Sequence, residues 1–177
     1  MSNKLSLSVQ YASDAQHLPT RAQLRRWVKV ALQHDASITF RIVDEPEGRE
    51  LNKNYRGKDY ATNVLTFVYD DAEHPPQLPL PAEGSLHSSG EPTSVPLAGA
   101  GVALQPLLGD VVICAPVVER EAAAQHKDLL AHYAHLTLHA ALHLQGYEHG
   151  NDADATEMEA LETALMLKLR YPDPYRT

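Results

Sequence analysis

Three histidines, His139, His143 and His149, stand in the segment HAALHLQGYEH at residues 139–149. Side chains four residues apart lie on one helix face, about 6 Å from each other, so His139 and His143 can offer two imidazoles to one ion. Gly146 can take the left-handed conformation that ends a helix. The chain then turns back and brings His149 in as a third ligand. Three neutral imidazoles suit Zn2+ and leave a fourth tetrahedral position for water, the arrangement of a catalytic zinc. Such a water loses its proton at about pH 7 instead of about pH 16, which makes a nucleophile. In a chain with ten histidines one pair at this spacing is ordinary coincidence; three with a placed glycine are not. His132 and His135 extend the stripe by a turn and are expected in the core or behind the ligands, where His135 can orient a neighbour.

The spacing H-x3-H-x2-G-x2-H also occurs in metzincin proteases, where a glutamate after the first histidine is the general base. Here that position is Ala140, so the group that would deprotonate water is missing. Glu148 is a candidate replacement and equally a candidate outer partner of a ligand. A second segment, LNKNYRGKDYATN at residues 51–63, sets Lys53, Arg56 and Lys58 around Gly57 just before a strand. A guanidinium fork matches phosphate oxygens, and lysine adds a point charge. Alone, a basic turn is ordinary surface. Beside a hydrolytic zinc it points to a phosphodiester, whose cleavage needs an activated nucleophile and a cation on the developing charge.

These residues need elements to hold them. Leu5, Leu7, Val9 and Tyr11 alternate with polar residues as a half-buried strand does. Pro19 and Thr20 open a helix whose apolar face is Leu24, Trp27, Val28, Ala31 and Leu32, with Arg21, Arg25, Arg26 and Lys29 elsewhere on a solvated surface. Ile38, Phe40 and Ile42 make a second strand. Asp44, Glu45 and Pro46 start a short helix with a capping oxygen, running to about Tyr55 although Gly48 weakens it. Asn63 to Val68 reads as a third strand. Val111 to Ala115 is an apolar run covered on both faces. Helices follow from about Pro116, from Asp128 to Leu144 and from about Ala153 to Leu169, the last with Met158, Leu161, Leu165 and Leu169 on one face. Residues 70–107 carry seven of twelve prolines and no periodicity, which predicts a long flexible or disordered insert. The pattern predicts an α+β fold: a mixed four-stranded sheet packed with four to five helices, the zinc site on a helix and the turn after it. A single domain over residues 1–177 is expected.

At 177 residues, 44% hydrophobic and 21% charged, the chain is ordinary for a globular protein. It has neither a membrane-length apolar run nor a signal-peptide core, which predicts a cytoplasmic protein. The single cysteine, Cys114, excludes an intrachain disulfide and a cysteine-built zinc site. The net charge of -8 argues against a polyanionic partner, yet residues 1–58 hold ten of the fifteen Lys and Arg against six acids. One face can therefore attract a polyanion while the whole stays acidic, although chance and ordinary solvated faces explain the asymmetry as well.

Three stretches, Leu51 to Phe67, Leu108 to Ala115 and His135 to His149, together resemble the YbeY family of endoribonucleases, the rRNA maturation factors. The resemblance implies one Zn2+ per chain on His139, His143 and His149, with His143 and Arg56 needed for catalysis. Arg56 would hold the RNA phosphate, helped by Lys58. It implies hydrolysis of single-stranded RNA, a role in 16S rRNA 3′-end maturation and ribosome quality control, and as partners small-subunit rRNA, the ribosome and its associated factors. Neither DNA nor a membrane is expected. The chain departs from the family at Ala140, where glycine is common, in its longer insert and in its acidity. A zinc peptidase or amidohydrolase, and a ribosome assembly factor with a structural metal and no chemistry, are the alternatives.

Overall fold

The computed structural model describes residues 2–69 and 106–176. Their elements run β1 (Leu5–Ala12), α1 (Arg21–Ala31), β2 (Ala36–Val43), α2 (Glu45–Arg56), β3 (Val64–Tyr69), β4 (Leu107–Cys114), α3 (Ala115–Ala124), α4 (Leu129–Leu144) and α5 (Asp152–Lys168). The sheet order is β1-β2-β4-β3. β2 lies parallel to β1 and to β4, and β3 is antiparallel to β4. This is the expected α+β arrangement, with a mixed four-stranded sheet and five helices among the described residues. Parallel neighbours need a crossover, and α1 supplies it between β1 and β2.

β4 is interior, and from Gly109 to Cys114 every residue is buried, as its unbroken apolar run predicts. Successive side chains of a strand face opposite ways, so β4 serves two cores. Val111 and Ile113 join Trp27, Phe40, Leu138 and Leu142 in the larger one. Val112 and Cys114 join Leu51 of α2, Leu65 and Val117 in the smaller one. Helices α1 and α4 thus cover one face of the sheet and α2 the other. Gly48 fits this packing, because a Cβ there would lie 3.1 Å from Cys114 Sγ.

Several local expectations shift. Asp44 sits at the start of α2 without capping it; its carboxylate instead accepts from Ser13 Oγ and, at 3.3 Å, from the Asp14 amide. The cap at Thr20 is complete: its hydroxyl accepts from the Gln23 amide and the Gln23 side chain accepts from the Thr20 amide. Arg21 and Arg25, expected on a solvated surface, reach the carbonyls of Leu7 and Leu5. They cover the outer edge of β1, where a strand would otherwise show unpaired groups. Ala115 opens α3 instead of closing the strand, and Leu107 already belongs to β4. The rest of the predicted insert, residues 70–105, lies outside the described residues.

Candidate functional site

Helix α4 is the backbone of the site. Asp128 caps it by accepting from the Ala131 amide at 3.0 Å, and most of its sixteen residues are buried. It ends where Gly146 takes φ +98°, with the Tyr147 amide donating to Leu142 O at 3.2 Å. The turn is tied to the end of α1: Gln145 Nε2 donates to Ala31 O at 2.9 Å and Gln145 Oε1 accepts from the Gln33 amide at 2.8 Å. His149 is thereby returned to the helix face that carries His139 and His143.

The three rings are mutual neighbours. Their centres stand 5.8 Å apart for His139 and His143, 5.4 Å for His139 and His149, and 5.5 Å for His143 and His149. Imidazoles sharing one tetrahedral zinc, with Zn–N of about 2.0–2.1 Å, hold their ring centres about 5 Å apart. Among the described residues, no three or more His, Cys, Asp or Glu side chains form a closed metal-binding group. The rings are therefore a candidate set, near the required spacing without being drawn onto one point.

Their hydrogen bonds suit the role. His143 Nδ1 lies 2.7 Å from the Tyr147 carbonyl oxygen. A carbonyl only accepts, so Nδ1 carries the proton and Nε2 keeps its lone pair. His139 Nδ1 lies 2.5 Å from Glu162 Oε1, which selects the same tautomer. Metal-bound histidines commonly have a carbonyl or carboxylate on the far nitrogen, fixing ring orientation.

Glu162, on α5, is fully buried. It also accepts from His135 Nε2 at 3.4 Å and from the Tyr175 hydroxyl. Burial pushes its carboxyl up, but the hydrogen bonds from His135, His139 and Tyr175 prevail and hold it at about 2. His135 thus shares this carboxylate with His139, whose ring lies edge-on to its own with centres 6.5 Å apart. Neither Glu162 nor Tyr175 was anticipated. The line Met158, Glu162, Met166, all buried, is an apolar stripe at four-residue spacing interrupted by an acid, and that interruption was the available signal for Glu162. His132 belongs to a parallel arrangement, its Nε2 being 3.0 Å from Glu121 Oε2 while Glu121 accepts from Asn63 Nδ2 at 3.2 Å.

The basic turn meets the same place. Arg56 is the last residue of α2, and Gly57 closes the helix at φ +71°, a conformation natural to glycine. The chain after it is pinned by buried Asn52, whose Nδ2 donates to Tyr60 O at 2.6 Å, and by the Arg49–Asp59 ion pair at 2.8 Å. A cleft of about 520 Å3 results, lined by Tyr55, Arg56, Asn63, residues 64–67 of β3 and the three histidines. Lys58 and Lys53 are exposed and do not line it. Glu148 faces a separate hollow of about 170 Å3 with Asp154 and Glu157, so the geometry does not offer it as a base in the cleft. A roomier cavity of about 660 Å3 lies between the α3–α4 turn and the tail, but among the described residues it is the cleft that unites Arg56 with His139, His143 and His149.

Known proteins resemble the chain over most of its length. The family model described as Endoribonuclease YbeY matches residues 7–170. A protein of Nitrosospira multiformis named Endoribonuclease YbeY is 53% identical over 173 residues, covering 97% of this chain and 82% of its own. One of Thiobacillus denitrificans with the same name is 48% identical over 177 residues, 100% of both chains. A solved structure from Thermotoga maritima, TM1509, is 20% identical, covers 97% of this chain and 99% of its own, and has a TM-score of 0.49.

Proposed function

Because the chain belongs to the YbeY family of endoribonucleases, we propose that it hydrolyses phosphodiester bonds of single-stranded RNA in the cleft between β3 and α4. We assign His139, His143 and His149 to one Zn2+. When bound, zinc supplies a Lewis acid and lowers the pKa of water toward neutrality. The residues of the chain do the rest. Glu162 and the Tyr147 carbonyl hold the Nδ1 protons of His139 and His143, so both Nε2 lone pairs stay available. Arg56 grips the scissile phosphate with its planar fork and offsets the charge that builds up as the bond to phosphorus breaks. Asn63 is fixed by Glu121 at the wall of the cleft.

The observation that carries this reading is that Arg56 lines the same cleft as the three histidines. We extend it to the 3′ end of small-subunit rRNA as substrate, to the ribosome and its associated factors as partners and to the cytoplasm as location. Among the described residues no helix is long and apolar enough to cross a membrane.

One observation favours a peptidase. Among the described residues, residues 64–67 of β3 pair only with β4 and border the cleft, a placement that suits pairing with an extended peptide. Ala140, standing where metzincins carry the catalytic glutamate, opposes this. Zinc-loaded protein incubated with an unstructured RNA and with casein decides between them. The proposal expects RNA fragments and intact casein; proteolysis without RNA cleavage would reverse the assignment.

A further inference from the structure

Tyr55 immediately precedes Arg56 and lines the same cleft. It is 43% exposed, a high value for a large ring in a site. Its ring packs edge-on against Phe67, with centres 4.9 Å apart and planes at 67°. Phe67 belongs to β3, so the contact ties the end of α2 to the sheet and fixes the tyrosine without covering it. Resting on the reading of this cleft as an RNA site, we infer that Tyr55 is a stacking platform for a nucleobase next to the phosphate held by Arg56.

Every base has a π-face, so an exposed aromatic ring beside a cation binds single strands with little sequence preference. Each such stack is worth roughly ten- to a hundredfold in affinity. In a duplex the base faces are already stacked on one another, and the ring could reach one only after unpairing. Neighbouring helix residues point about 100° apart, which lets Tyr55 take a base while Arg56 takes a phosphate. Selectivity for single strands then resides in a side chain that performs no chemistry. Thr62, Asn63 and Thr66, which line the same cleft, offer hydrogen bonds but no flat surface, and the three imidazoles are assigned to the metal.

The test uses full-length, zinc-loaded protein carrying Tyr55→Leu, which keeps an apolar contact for Phe67, with Tyr55→Trp and Tyr55→Phe as conservative partners. KM and kcat are measured on a short unstructured RNA, and Kd by fluorescence anisotropy on a cleavage-resistant analogue of that RNA. The inference expects Tyr55→Leu to raise KM and Kd about tenfold with kcat within about twofold, and both aromatic variants to behave like the parent. An RNA with abasic sites flanking the cleaved bond should bind the parent about tenfold more weakly and Tyr55→Leu no more weakly than intact RNA does. Parent-like binding by Tyr55→Leu, loss in Tyr55→Phe, or abasic and Leu effects that multiply independently would each overturn the stacking role while leaving the nuclease assignment intact. A folded, zinc-loaded parent that neither binds nor cleaves RNA would overturn both.

Discussion

Glu162 Oε1 lies 2.5 Å from His139 Nδ1, so a carboxylate buried in α5 decides which nitrogen of a proposed ligand is free. That helix supplies no ligand, yet it sets the orientation of one that belongs to α4. Removing such a partner typically weakens metal binding 10- to 100-fold. Glu162→Ala should therefore lower zinc affinity by roughly that factor, measured by competition with a chromophoric chelator. It should also destabilise the fold by about 1–3 kcal/mol, since His135, His139 and Tyr175 each lose an acceptor. Unchanged zinc affinity would disconnect Glu162 from the site.

Arg56 is an exposed residue at a helix end, so its charge contributes little to stability. Arg56→Ala should leave the thermal unfolding midpoint nearly unchanged and reduce RNA cleavage by about 100-fold or more, as loss of a group that stabilises transition-state charge does. Arg56→Lys should recover only part, because it keeps the charge and loses the fork. Lys58→Ala, outside the cleft, should stay within about threefold of the parent. Initial rates on a labelled oligonucleotide read all three.

Gly57 stands at φ +71° with nothing within 4 Å of where a Cβ would be. Gly57→Ala therefore isolates a backbone cost, about 1 kcal/mol for a left-handed residue. Denaturant unfolding should show that loss. Cleavage should fall with it if the turn shifts Arg56. A variant as stable as the parent would contradict the helix ending as described.

The Glu121 carboxyl is held below its usual value, first by the hydrogen bond from His132, against burial and with help from Asn63. Between its folded value and the unfolded value of about 4.3, the unfolded chain binds a proton that the folded chain does not. Acid thus favours unfolding in that window. The stabilisation is complete above it and is lost as pH falls through the folded value. Glu121→Gln should flatten the stability curve below about pH 4.3 relative to the parent, as followed by urea unfolding; an unchanged acid slope would remove Glu121 from the account.

How much of this was legible in the sequence depended on the range of the interaction. The i, i+4 pair of His139 and His143 and the stop at Gly146 are local, and helical geometry alone makes them neighbours. The segments of the nine elements among the described residues were legible for the same reason. The strand order β1-β2-β4-β3 was not, because pairing between β2 and β4 joins residues about seventy positions apart and no local pattern encodes it. Asp44 misled, since a capping residue competes for partners and Ser13 of another connection won. Glu162 stayed hidden because a buried acid reads as a surface one until its histidine partners are placed around it. Lys58 shows the converse: adjacency to Arg56 in sequence put it beyond Gly57, where the chain has already changed direction.

The central claim is that three imidazoles hold the metal on which cleavage depends. Elemental analysis of the purified chain, coupled to single-stranded RNA cleavage for the parent and His143→Ala, tests it most directly. The account predicts about one zinc per parent chain, with metal and cleavage both lost in the variant and parent activity removed by chelation and restored by zinc. Full cleavage by parent protein free of any bound metal would contradict it.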